Sequence, residues 1–185
     1  MNLLLGFSPF LLFAALEHVL GVTSGLVAAA AASGLLVLRD LRGGEMKLLE
    51  VGTLVLFAGL AAMTAATSAN WSVLQVRLYI DSGLLAIVLL SLLLRRPFTL
   101  PYARQRAPRE VWALPRFLRM NMLISAAWAL AFLVIVVADL LMLLRPAVPL
   151  SVGISMTAAG LLAALRFTSW YPDHLQAQRS GRPVQ

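Results

Sequence analysis

Residues 122–144 read MLISAAWALAFLVIVVADLLMLL, an apolar run with a single ionisable side chain, Asp139. A helix rises about 1.5 Å per residue and the hydrocarbon core of a bilayer is about 30 Å thick, so a helix needs about 20 apolar residues to cross it. A surface helix of a soluble protein would instead carry charged residues along one face. The run therefore predicts a membrane-spanning helix, named segment E.

Five further apolar segments accompany segment E. The chain is 61% hydrophobic and 12% charged, with a mean hydropathy of +0.87, whereas soluble domains are nearer half apolar and a quarter charged. The other segments are A (residues 3–16), B (20–38), C (48–66), D (78–94) and F (150–165). We predict an all-α polytopic membrane bundle of about six hydrophobic helices, forming one domain over residues 1–185. Segment A is short and contains Pro9, so it either spans or lies in the interface.

The composition excludes several kinds of chemistry. The chain has no cysteine and two histidines, which leaves no thiolate metal site and little for a histidine site. It contains no G-x-S-x-G, P-loop or H-E-x-x-H motif. We therefore expect no enzymatic activity, no metal and no cofactor. The net charge of +7 is better explained by anionic lipid beside basic loops than by nucleic acid.

The basic residues predict an orientation. If consecutive helices alternate in direction, thirteen Lys and Arg residues fall on one side, in the B–C and D–E connections and after segment F, and two, Arg77 and Arg145, fall on the other. Cytoplasmic loops carry the excess of positive charge. We expect a multi-pass protein of the bacterial inner membrane, with residues 95–119 and a tail at 167–185 both in the cytoplasm.

The segment at residues 95–119 interleaves arginines with aromatic residues and prolines. We expect Phe98, Tyr102, Trp112 and Phe117 to dip into the headgroup layer while the guanidinium groups bind phosphates. The candidate residues for interaction with partners or lipid headgroups are Arg95, Arg96, Arg104, Arg106, Arg109, Trp112 and Asn121.

Acidic residues near the helix ends form a second candidate site. On the predicted outer side, Asp139, Asp81 and Glu17 form a candidate ion site, because charge within a membrane is costly and often functional. The alternative is that they form ion pairs that fix helix ends. On the opposite side, Lys47 and Glu50 are spaced for an i,i+3 pair, and Asp40 is placed in a loop.

Small and hydroxyl-bearing residues bear on helix packing. The G-x-x-x-G pattern of Gly21 and Gly25 permits close helix approach and leaves a homo-oligomer open. Trp128, two turns into segment E, is expected to face a neighbouring helix. Hydroxyl groups inside the segments are expected to bond to carbonyls of the preceding turn, namely those of Ser33, Thr53, Ser91, Ser125 and Thr157.

The layout resembles the intracellular septation protein A family of small bacterial inner-membrane proteins. The resemblance follows the order of elements over most of the chain, but its motifs are short. They are Phe7-Ser8-Pro9-Phe10-Leu11, Arg95-Arg96-Pro97, Val111-Trp112, Asn121, Trp128-Ala129, Phe132 and Ala138-Asp139. The chain departs from the family by insertions at 98–107 and 114–120, which suggest a distant relative or a neighbouring family.

The resemblance implies a non-enzymatic role in septation or envelope biogenesis, exerted through contacts with lipids and other inner-membrane proteins. A small transporter or channel that uses the outer acidic residues is the alternative.

Overall fold

The computed structural model describes residues 3–44, 46–67, 71–145 and 147–180, which contain helices and connecting turns and no strand. The all-α prediction is therefore confirmed. The helices are α1 (Leu3–Gly6), α2 (Ser8–Leu20), α3 (Val22–Arg42), α4 (Leu48–Thr67), α5 (Val73–Leu93), α6 (Leu100–Arg104), α7 (Pro115–Leu144) and α8 (Leu150–Ser180), with a 3₁₀ turn at Arg109–Val111.

Five of these helices are long and apolar enough to cross a membrane. They are α3, α4, α5, α7 and the Ser151–Leu175 part of α8, and they correspond to segments B to F. The set is that of a multi-pass integral membrane protein. Helix α2 has 13 residues and is about 20 Å long, which is shorter than the hydrocarbon core.

Several helices extend beyond their apolar segments. Helix α3 continues to Arg42, so Asp40 lies in a helix and its placement in a loop is wrong. Helix α7 begins at Pro115, where a proline fits the first turn because that turn needs no amide donor. Residues 167–180, expected as a tail, continue α8. Each extension contains polar or basic residues, which explains why hydropathy alone makes these helices too short.

The chain forms two compact units, Met1–Ser91 and Leu92–Gln185. In the first, Phe57 of α4 packs its ring 5.1 Å from that of Phe10 and 6.0 Å from that of Phe13. Gly25 of α3 faces Phe13 so closely that a Cβ would lie 3.2 Å from its ring. The predicted close approach is thus confirmed at Gly25, whereas Gly21 has a φ of 82° and serves the turn between α2 and α3.

In the second unit, α7 packs against α8 through Trp128. This side chain is buried, and its Nε1 donates a 2.9 Å hydrogen bond to Oγ1 of Thr168. The Thr168 hydroxyl in turn donates to the carbonyl of Ala164. Trp128 therefore contacts a neighbouring helix, as predicted.

The hydroxyl groups inside the helices follow the prediction in part. Ser33, Thr53 and Ser91 donate to carbonyls three or four residues earlier, as expected. Ser125 instead pairs with the hydroxyl of Thr99, 26 residues away. The buried hydroxyl of Thr157 has no hydrogen-bond partner among the described residues. The prediction is therefore wrong for these last two residues.

Candidate functional site

The segment between α5 and α7 is folded. A turn follows α5 at Arg95, which has a φ of 53° and whose amide donates to the carbonyl of Leu92. Further turns follow through α6 and the 3₁₀ turn, with backbone bonds such as Ala103 N–H to Thr99 O at 3.0 Å. Successive backbone hydrogen bonds of this kind give many of the segment's polar backbone groups a partner within the segment.

A buried anchor ties this segment to α7. Phe98 is 1% exposed, and its ring meets that of Trp128 edge-on at 6.4 Å. The hydroxyl of Thr99 lies 2.9 Å from that of Ser125 and 3.3 Å from Oδ1 of Asn121. The Asn121 side-chain amide donates to the carbonyl of Phe117. Because each polar group of the anchor has a partner, burying the anchor carries little desolvation penalty.

The anchor corrects two expectations about the segment. Phe98, Tyr102 and Phe117 are buried in the protein, so they do not dip into the headgroup layer. Asn121, a candidate contact residue, is 1% exposed, and its Oδ1 accepts a hydrogen bond from the Thr99 hydroxyl. It therefore belongs to the buried anchor and not to the exposed surface. These aromatic side chains instead fix the position of the basic residues around them.

The exposed part of the segment is basic. We call it the arginine platform, and its members are the predicted contact residues other than Asn121, namely Arg95, Arg96, Arg104, Arg106, Arg109 and Trp112. All five arginines are exposed and Trp112 is half-buried.

Trp112 organises two arginines of the platform. The guanidinium carbon of Arg104 lies 5.5 Å from the centroid of the indole, and that of Arg109 lies 5.8 Å from it. Both distances are within the range of cation–π attraction. The indole is itself held by a 3.0 Å hydrogen bond from Nε1 to the carbonyl of Ala107. The platform therefore presents two positioned guanidinium groups.

The charge of these two arginines is not neutralised by nearby acids. Within residues 95–119 the one acidic side chain is Glu110, which is exposed. In the part of the chain that the structure describes, neither Arg104 nor Arg109 takes part in an ion pair. The platform thus carries a local positive charge that favours an anionic partner.

A buried ion cluster lies at the corner between α3 and α4. Lys47 Nζ is 2.6 Å from Oδ2 of Asp40 and 3.3 Å from Oε1 of Glu50. These three side chains are between 2% and 7% exposed. The Arg39 guanidinium, half in solvent, adds a 3.3 Å contact to Asp40. The predicted Lys47–Glu50 pair is confirmed, but the inclusion of Asp40 was missed.

The acidic residues of the predicted ion site lie in both units. In the first unit, Glu17 on α2 is buried, with Oε1 3.5 Å from Nε2 of His18, and Asp81 on α5 is half-buried. In the second unit, Asp139 on α7 is fully buried. Burial raises the pKa of the Glu17 carboxyl, and the neighbouring charges of His18 and Arg77 offset this only in part.

The described residues hold no group of three or more His, Cys, Asp or Glu side chains arranged to bind a metal ion. Comparison with known proteins found no matching family model, curated protein or solved structure.

Proposed function

We propose that this chain is a non-enzymatic bacterial inner-membrane protein that supports septation or envelope biogenesis by holding other membrane components through its arginine platform. The observation that carries the proposal is the folded platform itself, in which Trp112 positions Arg104 and Arg109 and a buried anchor of Phe98, Thr99 and Asn121 holds the segment on α7.

The folded backbone of the arginine platform favours a role as a contact surface, in addition to the effect of its arginines on membrane orientation. An arginine in a flexible loop loses side-chain and backbone freedom when it binds, and that loss weakens affinity. The anchor of Phe98, Thr99 and Asn121 has already ordered the platform backbone. Binding of an anionic group therefore costs less entropy here than in a mobile loop.

The side of the membrane follows from the charge. Cytoplasmic loops are enriched in Lys and Arg, and the cytoplasmic leaflet carries anionic lipid. A cytoplasmic platform would meet anionic headgroups directly, together with acidic surfaces of neighbouring membrane proteins. The physical argument alone does not name a process. The assignment to septation or envelope biogenesis rests on the resemblance of the chain's first and central motifs to those of the intracellular septation protein A family.

Charge removal tests the proposal in cells. The triple variant Arg104→Gln/Arg106→Gln/Arg109→Gln should fail to restore normal cell length in a strain that lacks the protein. The matched variant Asp81→Asn/Asp139→Asn should restore it. Both variants must first reach the membrane at the wild-type level, as measured by immunoblot of the membrane fraction. Restoration by the platform variant together with failure of the acid variant would refute the proposal.

One observation favours the alternative, a small transporter or channel. Asp139 is fully buried in α7, and acidic residues within membrane helices often mark ion pathways. The alternative predicts cation or proton flux in proteoliposomes that Asp139→Asn abolishes and the platform variant leaves intact. Absence of flux from the wild-type protein would remove it.

A further inference from the structure

Arg104, Arg109 and Trp112 form a distinct group within the arginine platform, which we call the Trp112 site. Both guanidinium carbons lie within 6 Å of one indole centroid. The two cations are therefore at most about 11 Å apart and share one support. A planar guanidinium over an aromatic ring keeps its N–H edges available, because the ring occupies a face and not the hydrogen-bonding edge.

The positive charges of Arg104 and Arg109 are not balanced by a negative charge within the Trp112 site. Like charges close together repel, and no acidic side chain forms an ion pair with either arginine in the described parts of the chain. The attraction of each guanidinium to the indole offsets part of this repulsion. An anion that accepted hydrogen bonds from the guanidinium groups would remove the rest.

We propose that the Trp112 site binds the phosphate of an acidic phospholipid headgroup. This inference rests on the proposed function of the arginine platform and names the ligand of one site within it. Arginine matches phosphate geometry because its fork of N–H groups can donate two parallel hydrogen bonds to two phosphate oxygens.

The position of the site along the chain favours a lipid over a soluble phosphate. It lies between Leu93, where α5 ends, and Pro115, where α7 begins, and both helices are long and apolar enough to span a membrane. The short connections keep the site close to a bilayer surface. The indole of Trp112 is half-buried, and tryptophan is enriched at the level of the headgroups.

Native mass spectrometry of the full-length protein tests the site. The protein, released from detergent micelles, is titrated with phosphatidylglycerol or with phosphatidylcholine, and bound lipids are counted. An arginine near an anionic surface contributes a factor of about five in affinity. Wild type should prefer phosphatidylglycerol, and Arg104→Gln/Arg109→Gln should bind it about 25-fold more weakly.

Two matched variants separate the site from charge in general. Arg116→Gln/Arg119→Gln removes two exposed arginines from the start of α7 and should weaken binding less than Arg104→Gln/Arg109→Gln does, because the described contacts with the Trp112 indole are those of Arg104 and Arg109. Trp112→Leu keeps every charge but removes the support, so it should weaken binding, whereas Trp112→Phe should retain most of it.

The outcomes distinguish this proposal from the wider one. Equal losses in the two double-arginine variants would overturn the Trp112 site and leave the platform as a diffuse basic surface. No preference for phosphatidylglycerol in wild type would overturn the site and remove lipid binding from the proposed function. Displacement of bound lipid by millimolar inorganic phosphate would identify a soluble phosphate as the ligand and would also overturn the lipid assignment.

Discussion

Replacing Lys47 with methionine removes the ammonium group that joins two buried carboxylates at the corner between α3 and α4. Methionine has nearly the same length, so the change removes charge and hydrogen bonds while leaving most of the volume filled. Asp40 and Glu50 then remain buried without the cation that lies 2.6 and 3.3 Å from them. We expect a large loss of stability from this one substitution.

The magnitude follows from the burial of all three groups. Breaking a buried ion pair by removing one partner costs about 3–5 kcal/mol, because the remaining charge is left without compensation. Arg39 still contacts Asp40 at 3.3 Å and is about half exposed, so it compensates only part of that charge. We therefore expect a loss of about 3 kcal/mol, near the lower end of the range.

The assay is thermal unfolding in a mild detergent, followed by the fluorescence of the four tryptophans. A loss of about 3 kcal/mol lowers Tm by about 6–12 °C for a chain of this size. Arg42→Met is the matched control, since Arg42 lies at the end of α3 in an exposed position. It should change stability by less than about 0.5 kcal/mol.

A rescue variant separates charge from packing. Asp40→Asn/Lys47→Met/Glu50→Gln removes all three charges and should recover most of the loss, because replacing a whole buried ion cluster is often nearly neutral. If Lys47→Met lowered stability by less than about 1 kcal/mol, or the triple variant were as unstable as the single one, the cluster would not act as a buried electrostatic unit.

Three further predictions address the anchor, the α7–α8 contact and Glu17. Thr99→Val removes the hydroxyl bonded to Asn121 and Ser125, so the segment should open more often. Trypsin should then cleave after the platform arginines about fivefold or more faster, and an unchanged rate would show that the anchor does not hold the segment. Trp128→Phe removes the hydrogen bond to Thr168 and should lower stability by about 1–3 kcal/mol in thermal unfolding, and equal stability would show that this contact contributes nothing. Burial raises the pKa of Glu17, so its neutral form stabilises the fold below the unfolded pKa and this contribution is lost as pH rises through the folded pKa. Glu17→Gln should therefore raise Tm at neutral pH by an amount that shrinks toward about pH 4, and a gap that widened on acidification would contradict the sign.

Hydropathy predicted the spanning helices well and their ends poorly. Segment E forms the C-terminal part of α7 and ends with it at Leu144, but the helix begins seven residues earlier than the segment, at Pro115. The same limit hid Asp40, because segment B ended at residue 38 and α3 continues to Arg42. Polar residues at a helix end carry no apolar signal, although they extend the same hydrogen-bonded backbone.

The spacing of residues in the sequence predicted contacts between near neighbours in the chain, but it did not predict contacts between distant residues. The three-residue spacing of Lys47 and Glu50 was sufficient to predict their pair. Phe98, however, packs against Trp128, 30 positions along the chain, and Thr99 bonds to Asn121, 22 positions along. An aromatic residue among arginines has the same composition whether it is buried or interfacial, so the sequence pattern alone could not distinguish the two.

The side of the membrane on which the arginine platform lies decides the proposed function, because the platform must face the cytoplasm to hold cytoplasmic membrane components. The chain has no cysteine, so Arg106→Cys and Ala147→Cys each create a single labelling site without further changes. With a membrane-impermeant maleimide, the Arg106→Cys protein should react in inverted membrane vesicles and not in intact spheroplasts, and the Ala147→Cys protein should do the opposite. Labelling of the Arg106→Cys protein in intact spheroplasts would place the platform on the outer side and refute the proposed function.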